Sequence, residues 1–278
     1  MLDPRLLRTF VAVTDAASFT LAADRLHSTQ STVSQHMARL EAAVGQELID
    51  RTARPIALTP AGERLIGYAR RLLALQAEAQ TLLADPAGTA TIRIGVPDDI
   101  VTAAMSLQFA RFAEHYRQVR LDVTTGLSRD LYKRFRAGEF DIVVVKAPMA
   151  DADARASFSE PLAWFESANR SDPWPDPVPL VTFPPGGLYR DLMIDRIERD
   201  QRRWYIAFTG NSLGSVLSAI EAGLGVSVLP VSTTAAHAVR ASAIFPAEDA
   251  LLVSIYAWEI EGPTAELVEA MMGVLAER

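Results

Sequence analysis

The stretch from 19 to 44, FTLAADRLHSTQSTVSQHMARLEAAV, constrains the fold most, because it reads as two short helices separated by a tight polar turn. The first helix is expected from about Leu21 to Leu26, with Ala22 and Ala23 small enough for a second helix to cross closely. His27, Ser28 and Thr29 form the turn. Thr29 is a good N-cap, since its hydroxyl accepts one of the backbone N–H groups that the first helical turn leaves without a partner. In the second helix Val33, Met37, Leu40 and Val44 recur at helical spacing and form one apolar stripe. Gln30, Ser31, Thr32, Ser34, Gln35 and His36 are left for the outside. Such short polar side chains suit a helix whose amino-terminal residues enter a major groove, where glutamines read adenine with both ends of the carboxamide. An amphipathic helix with a solvated face gives the same pattern, so the surrounding chain has to decide.

That chain has 278 residues, 49% hydrophobic and 22% charged, enough for two or three compact units. No apolar run is long enough for a bilayer, and the start MLDPRLLRTF carries an acid and a proline where a signal peptide would be basic and apolar. The expectation is a cytoplasmic protein with no membrane partner. There is no cysteine, which excludes disulfides and thiol chemistry, and the four histidines (His27, His36, His115, His237) make no metal or catalytic pattern. No nucleophile–base constellation is visible, so an enzyme is not expected, and neither is a cofactor. The net charge of −7 is unusual for a DNA binder. Residues 1–60 are balanced, however: Arg5, Arg8, Arg25, Arg39, Arg51 and Arg54 stand against Asp3, Asp15, Asp24, Glu41, Glu47 and Asp50. Phosphate contacts must then come from locally placed arginines, with affinity raised by several heads per oligomer.

Asp3 and Pro4 open a helix carrying Leu6, Leu7, Phe10 and Val13. Gly45 stops the second motif helix. The segment 48–59, LIDRTARPIALT, fits a two-stranded wing with Arg51 and Arg54 at its tip, where they either lie along phosphates or are simply solvated. Thr59 caps and Pro60 opens a long helix to about Leu83. Its stripe of Leu65, Ile66, Ala69, Leu72, Leu73, Leu82 and Leu83 is close to heptad spacing. Two partners fit that stripe: a helix of a second copy, with Leu65, Ala69, Leu72 and Leu73 as the dimerisation residues, or the chain's own downstream domain. ADPAGT, 84–89, reads as a hinge.

From Thr91 strand-like runs alternate with helices: TIRIGV, a helix carrying Leu107, Phe112 and Tyr116, VRLDVT, DIVVVK, then VPLVTF, WYIAFT, VSVLP and LLVSIYAWE, with helices from about Leu188 and Leu213 and a closing helix to Glu277. The alternation argues for parallel sheets in two similar α/β halves joined by crossing strands. No internal repeat or low-complexity run is legible. The domain reading is therefore 1–59 for the DNA-binding unit, 60–84 for the linker helix, 85–90 for the hinge and 91–278 for the α/β region. Its halves are expected at about 91–150 plus 231–278 and at about 160–230.

Taken together, 17–45, 48–66 and the AIEAGLGVSVLP run at 219–230 strongly resemble a LysR-type transcriptional regulator, over essentially the whole chain. The GVPDD run at 95–99 and FPPGGLYRD at 183–191 look like the LrhA/HexA-like branch of that family, which includes global regulators of motility and exported functions. The resemblance implies a fold with an N-terminal all-α winged helix-turn-helix and a periplasmic-binding-protein-like effector region of two Rossmann-like α/β subdomains. It implies a homodimer or homotetramer on double-stranded promoter DNA, modulated by a small-molecule effector, with contact to RNA polymerase left open. The groove-reading positions fall on Gln30, Ser31, Thr32, Ser34 and Gln35; many members have arginine where Gln35 stands. A constitutive regulator without an effector fits the same residues.

In open α/β sheets ligands sit beyond the carboxyl ends of the strands. Those ends lead into Pro97, Asp98 and Asp99; Gly126, Leu127 and Ser128; Pro184 to Gly187; and Thr209, Asn211, Ser212 and Leu213, with Phe183 as an apolar wall. Asp98 and Asp99 either cap the helix that follows them or repel anionic inducers.

Overall fold

The computed structural model describes residues 2–84 and 90–278, apart from the side chains of Glu78, Thr81, Leu82 and Ala84. The hinge expected at 85–90 lies, except for Ala90, outside the described residues. The chain forms two compact units, one of 1–93 with 117–120 and 133–141, the other of 94–116, 121–132 and 142–278.

In the first unit α1 (Pro4–Ala16) begins at Asp3, whose carboxylate accepts from the Arg5 N–H at 2.8 Å. α2 (Phe19–Arg25) is capped by Ser18, and α3 (Gln30–Val44) by Thr29, which accepts from the Thr32 N–H at 3.2 Å. Gly45, at φ +70°, ends α3 in the left-handed conformation that glycine adopts without steric cost. β1 (Ile49–Asp50) and β2 (Ala57–Leu58) pair antiparallel as a short wing. α4 (Pro60–Ala84) starts where the Thr59 hydroxyl accepts from Gly62 N–H at 3.1 Å. Leu6, Leu7, Phe10 and Val13 of α1 meet Val33, Met37 and Leu40 of α3 in one core, and Ala22 and Ala23 let α2 approach. Burying a side chain of leucine or phenylalanine size stabilises by about 1.5–3 kcal/mol. Ile66 and Ala69 of α4 belong to the same core, with Leu65 and Leu73 packed at its edge.

After the linker helix the chain forms β3 (Ala90–Val96), α5 (Ala103–His115), β4 (Val119–Thr125), α6 (Ser128–Arg136), β5 (Ile142–Ala147) and β6 (Ala156–Ser167), followed by β7 (Val178–Thr182), α7 (Leu188–Arg199), β8 (Trp204–Thr209), α8 (Leu213–Glu221), β9 (Ser227–Pro230), β10 (Val239–Ala241), β11 (Glu248–Ala257) and α9 (Gly262–Ala276). One sheet has the order β10-β6-β11-β5-β3-β4, with β9 also on β6; β7 and β8 form a parallel pair tied to β9 by the Leu180–Val226 bridge. β3 and β5 are parallel as expected, but β11 runs antiparallel to both β5 and β6, so the main sheet is mixed. The reason is that the two long strands, β6 and β11, each run from one α/β half to the other and pair in opposite directions.

β6 was not among the expected strands, since Glu160 and Pro161 interrupt its apolar pattern. Its last four residues are all buried. On α5, Met105 and Phe112 face the core, whereas Leu107 is exposed. Tyr116, just past the helix, donates instead to Glu266 Oε2 of α9 at 2.7 Å.

Two glycines on helices predict opposite responses. A Cβ at Gly62 would overlap the Leu48 carbonyl oxygen, whereas at Gly273 in α9 it would meet open space. Gly62→Ala is expected to destabilise by about 1–3 kcal/mol through forced backbone movement. Gly273→Ala should stabilise by about 0.5–1 kcal/mol through lost unfolded-state freedom. Urea unfolding of the two variants checks the pair, and equal shifts of one sign would contradict the packing described.

Candidate functional site

Two surfaces carry the functional residues. The first is the amino-terminal end of α3, which the Thr29 cap fixes and which the stripe of Val33, Met37 and Leu40 anchors to the core. Gln30, Ser31 and Gln35 are exposed there. Thr32 and Ser34 are half-buried, and the Thr32 hydroxyl lies 2.9 Å from that of Thr29. His36, expected on the outer face, is turned inward, with Nδ1 3.0 Å from the Thr9 hydroxyl of α1. A partner 27 residues away captured it.

The wing arginines also have work inside the unit. Arg51 donates to Glu41 Oε2 at 2.8 Å and lies over the Phe19 ring at 5.3 Å, stapling the wing to α2 and α3. Glu41 in turn accepts from the Leu48 N–H at 3.0 Å. Arg51 therefore holds the wing in place as well as bordering it. Arg54 is exposed, with Nη1 donating to the carbonyls of Arg51 and Ala53 at 2.8 and 2.9 Å, which aims the guanidinium along the wing tip.

On α4 the stripe expected for dimerisation divides between two faces. Ala69 is buried in the core of its own unit, with Leu65 and Leu73 packed against it, because that face covers α1. Only Leu72 of the four turns outward, at 46% exposed, in company with Tyr68, Leu75 and Leu83. Heptad spacing alone does not tell a helix of the same chain from a helix of another.

The second surface is a cavity of about 320 Å³ inside the second unit. Pro97, Asp98, Asp99, Gly126, Leu127, Ser128, Phe183, Pro184, Gly187, Asn211 and Leu213 line it as expected, joined by Thr125, Lys146, Leu188 and Tyr189. Ser212 does not. Its hydroxyl accepts from the Ser215 N–H at 3.3 Å in a reciprocal capping box that starts α8. Asp98 and Asp99 sit in a single 3-10 turn, and α5 is capped by Thr102, so neither acid caps the helix that follows. Asp98 reaches across the cavity and accepts from the Leu213 N–H of α8 at 3.2 Å.

Asp99 faces Lys146, whose side chain is only 3% exposed at the end of β5. The ammonium contacts Asp99 Oδ2, Glu160 Oε2 at 2.6 Å and the Tyr189 oxygen at 2.8 Å. Arg278 Nη2 lies 3.6 Å from Asp99 Oδ2 and 3.4 Å from Glu160 Oε1, so two cations face two carboxylates. Burial, then the nearby charges of Asp99 and Glu160, push the Tyr189 hydroxyl well above its ordinary range, and it stays a neutral donor. Lys146, Glu160 and Tyr189 were missed from sequence. The available signal was a lysine closing the otherwise apolar run IVVVK, a position where a lysine is buried and needs partners.

Comparison with known proteins adds the following. The model for bacterial regulatory helix-turn-helix proteins of the lysR family matches residues 4–63, and that for the LysR substrate binding domain matches 87–275. The chain is similar to the HTH-type transcriptional regulator PecT of Dickeya dadantii, at 32% identity over 83% of this chain and 73% of that protein. It is similar to DgdR of Burkholderia cepacia, at 30% identity over 82% and 78%. Among solved structures, the full-length regulator LysG of Corynebacterium glutamicum, with arginine bound as its effector, has the same fold at a TM-score of 0.67 and 21% identity, over 99% of this chain and 98% of that one.

The buried cluster yields a prediction. Lys146→Met leaves Asp99 and Glu160 under-compensated in a low-dielectric site and should cost about 3–5 kcal/mol. Adding Glu160→Gln should recover part of that loss. Chemical unfolding reads both variants, and a loss of less than about 1 kcal/mol for the single substitution would mean that the ammonium is not held as described.

Proposed function

The chain belongs to the LysR family of DNA-binding transcriptional regulators, proteins with a substrate-binding domain and no enzymatic role, and on that footing we propose how it works. α3 reads promoter DNA in the major groove through Gln30, Ser31 and Gln35, with Thr32 and Ser34 behind them. Arg54, and Arg51 from its place beside Glu41, meet the phosphates at the edge of the site. Occupancy of the cavity changes how the two α/β halves close, and thereby how copies assemble on DNA. The observation that carries the DNA part is the exposed, capped and core-anchored amino terminus of α3.

The functional segments are 1–59, 60–84, 85–90 and 91–278, as the sequence suggests. The protein acts in the cytoplasm as a homodimer or homotetramer, with RNA polymerase a further contact. Tyr68, Leu72, Leu75 and Leu83, outward on α4, support a second copy as the partner of that helix. No helix among the described residues is long and apolar enough to cross a membrane. Within the family, the GVPDD and FPPGGLYRD runs support the LrhA/HexA-like branch. A constitutive regulator is the second reading, favoured by the fact that Asp98, Asp99 and Lys146 already satisfy one another or the backbone without a ligand.

Binding titrations against matched and scrambled promoter fragments test the assignment. Gln30→Ala should cost about 1–3 kcal/mol on the specific site and little on scrambled DNA, relaxing sequence preference. Arg54→Ala should weaken both about equally and lower the salt slope by about one phosphate contact. Footprints and salt slopes unchanged from wild type in both variants would refute the site.

A further inference from the structure

We infer that the cavity takes a non-anionic molecule, with an N–H or O–H donor at one end that meets Asp98 and an apolar body held by Leu127, Phe183 and Leu188. The inference rests on the effector reading above and names the chemistry of that effector.

The argument is one of charge and of occupied places. An anion entering an α/β cleft is ordinarily held by a cation or by the N–H groups at a helix amino terminus. The cation that lines this cavity is Lys146, and its ammonium is already shared between Asp99, Glu160 and the Tyr189 oxygen. Arg278, next to it, faces the same two carboxylates. Three helix amino termini line it, those of α6 at Ser128, α7 at Gly187 to Tyr189 and α8 at Leu213, and at α8 the Leu213 N–H already donates to Asp98. At the lining cation and at the start of α8 the chain thus supplies its own carboxylate.

The remaining balance points the same way. Asp98 and Asp99 outnumber Lys146 on the lining, while Glu160 and Arg278 behind it cancel. A second anion would be repelled at short range, where the low-dielectric walls strengthen the effect. Asp98 is exposed, and its Oδ1 carries no hydrogen bond among the described residues, so it offers an acceptor to a donor on the ligand. Leu127, Leu188 and the Phe183 ring give the lining its hydrocarbon. A volume of about 320 Å³ suits a small ligand with one polar end.

The test uses the full chain and matched compounds with one apolar body and three heads: phenylacetamide, phenethylamine and phenylacetate, with an isobutyl series beside them. Isothermal titration gives the affinities. In wild type the amide or the amine should bind at least about tenfold more tightly than the carboxylate of the same body, which is about 1.4 kcal/mol. In Asp98→Ala the Leu213 N–H is released, so the carboxylate should gain at least about fivefold and the amine should lose, shrinking or reversing the order. Asp98→Asn, which keeps an acceptor for that N–H but removes the charge, should abolish the penalty on the carboxylate and serves if the alanine variant does not fold. A carboxylate that binds wild type most tightly, an order that neither substitution moves, or no binding by either series overturns the inference. Promoter binding measured on the same samples separates the two readings: a protein that binds DNA but prefers carboxylates loses only this inference, whereas one that binds no DNA loses the functional reading itself.

Discussion

One ammonium group holds the second unit's functional end together. Lys146 leaves β5 into a space closed by Asp99 after β3, Glu160 on β6, Tyr189 at the start of α7 and Arg278 beyond α9. A buried lysine is costly unless its charge is met at hydrogen-bond distance, so each of those elements has to arrive within narrow limits. The consequence is geometric. Asp99 fixes the 3-10 turn that carries Asp98, and Asp98 then reaches α8 on the other half. Two polar links, Lys146 to Tyr189 and Asp98 to Leu213, therefore span the cleft.

The first unit works by a simpler rule. Its helices are short, and their ends are set by local caps: Asp3, Ser18, Thr29 and Thr59, each accepting from a backbone N–H two or three residues on. Small alanines on α2 let α1 and α3 close over it, and the apolar stripe of α3 leaves its first turn facing out. The wing is two residues per strand, too short to be stable alone. The Arg51–Glu41 pair and the Glu41 bonds to the backbone of Leu48 and Ile49 hold it to α3. A partly exposed ion pair contributes little on its own, but here the carboxylate also satisfies backbone donors.

What was legible in the sequence followed from locality. The caps of α3 and α4 and the left-handed Gly45 depend on residues three or four apart, so the local sequence is enough to place them. The cavity follows from the rule that strand ends converge; of the residues expected there, Pro185, Gly186, Thr209 and Ser212 do not line it, and a helix cap claims the Ser212 hydroxyl. What escaped depends on distant partners. His36 turns inward because Thr9 waits for it, and Lys146 finds Asp99 at a separation of 47 residues and Tyr189 at 43. β6 was hidden by Glu160 and Pro161, and that glutamate is there for Lys146 rather than for the strand. The α4 stripe is legible as a pattern, but an apolar face does not say whose core it covers: Leu65, Ala69 and Leu73 pack in their own unit while Leu72 turns outward.

The claim on which the whole account turns is that the exposed turn of α3 selects DNA sequences. It is tested most directly by mixing the purified protein with sheared genomic DNA of its source organism and sequencing what it retains. The account predicts a compact set of partly palindromic sites upstream of a few operons, their half-sites about one helical turn or a multiple apart. Retention spread evenly over the genome, or none with and without candidate ligands, would contradict it.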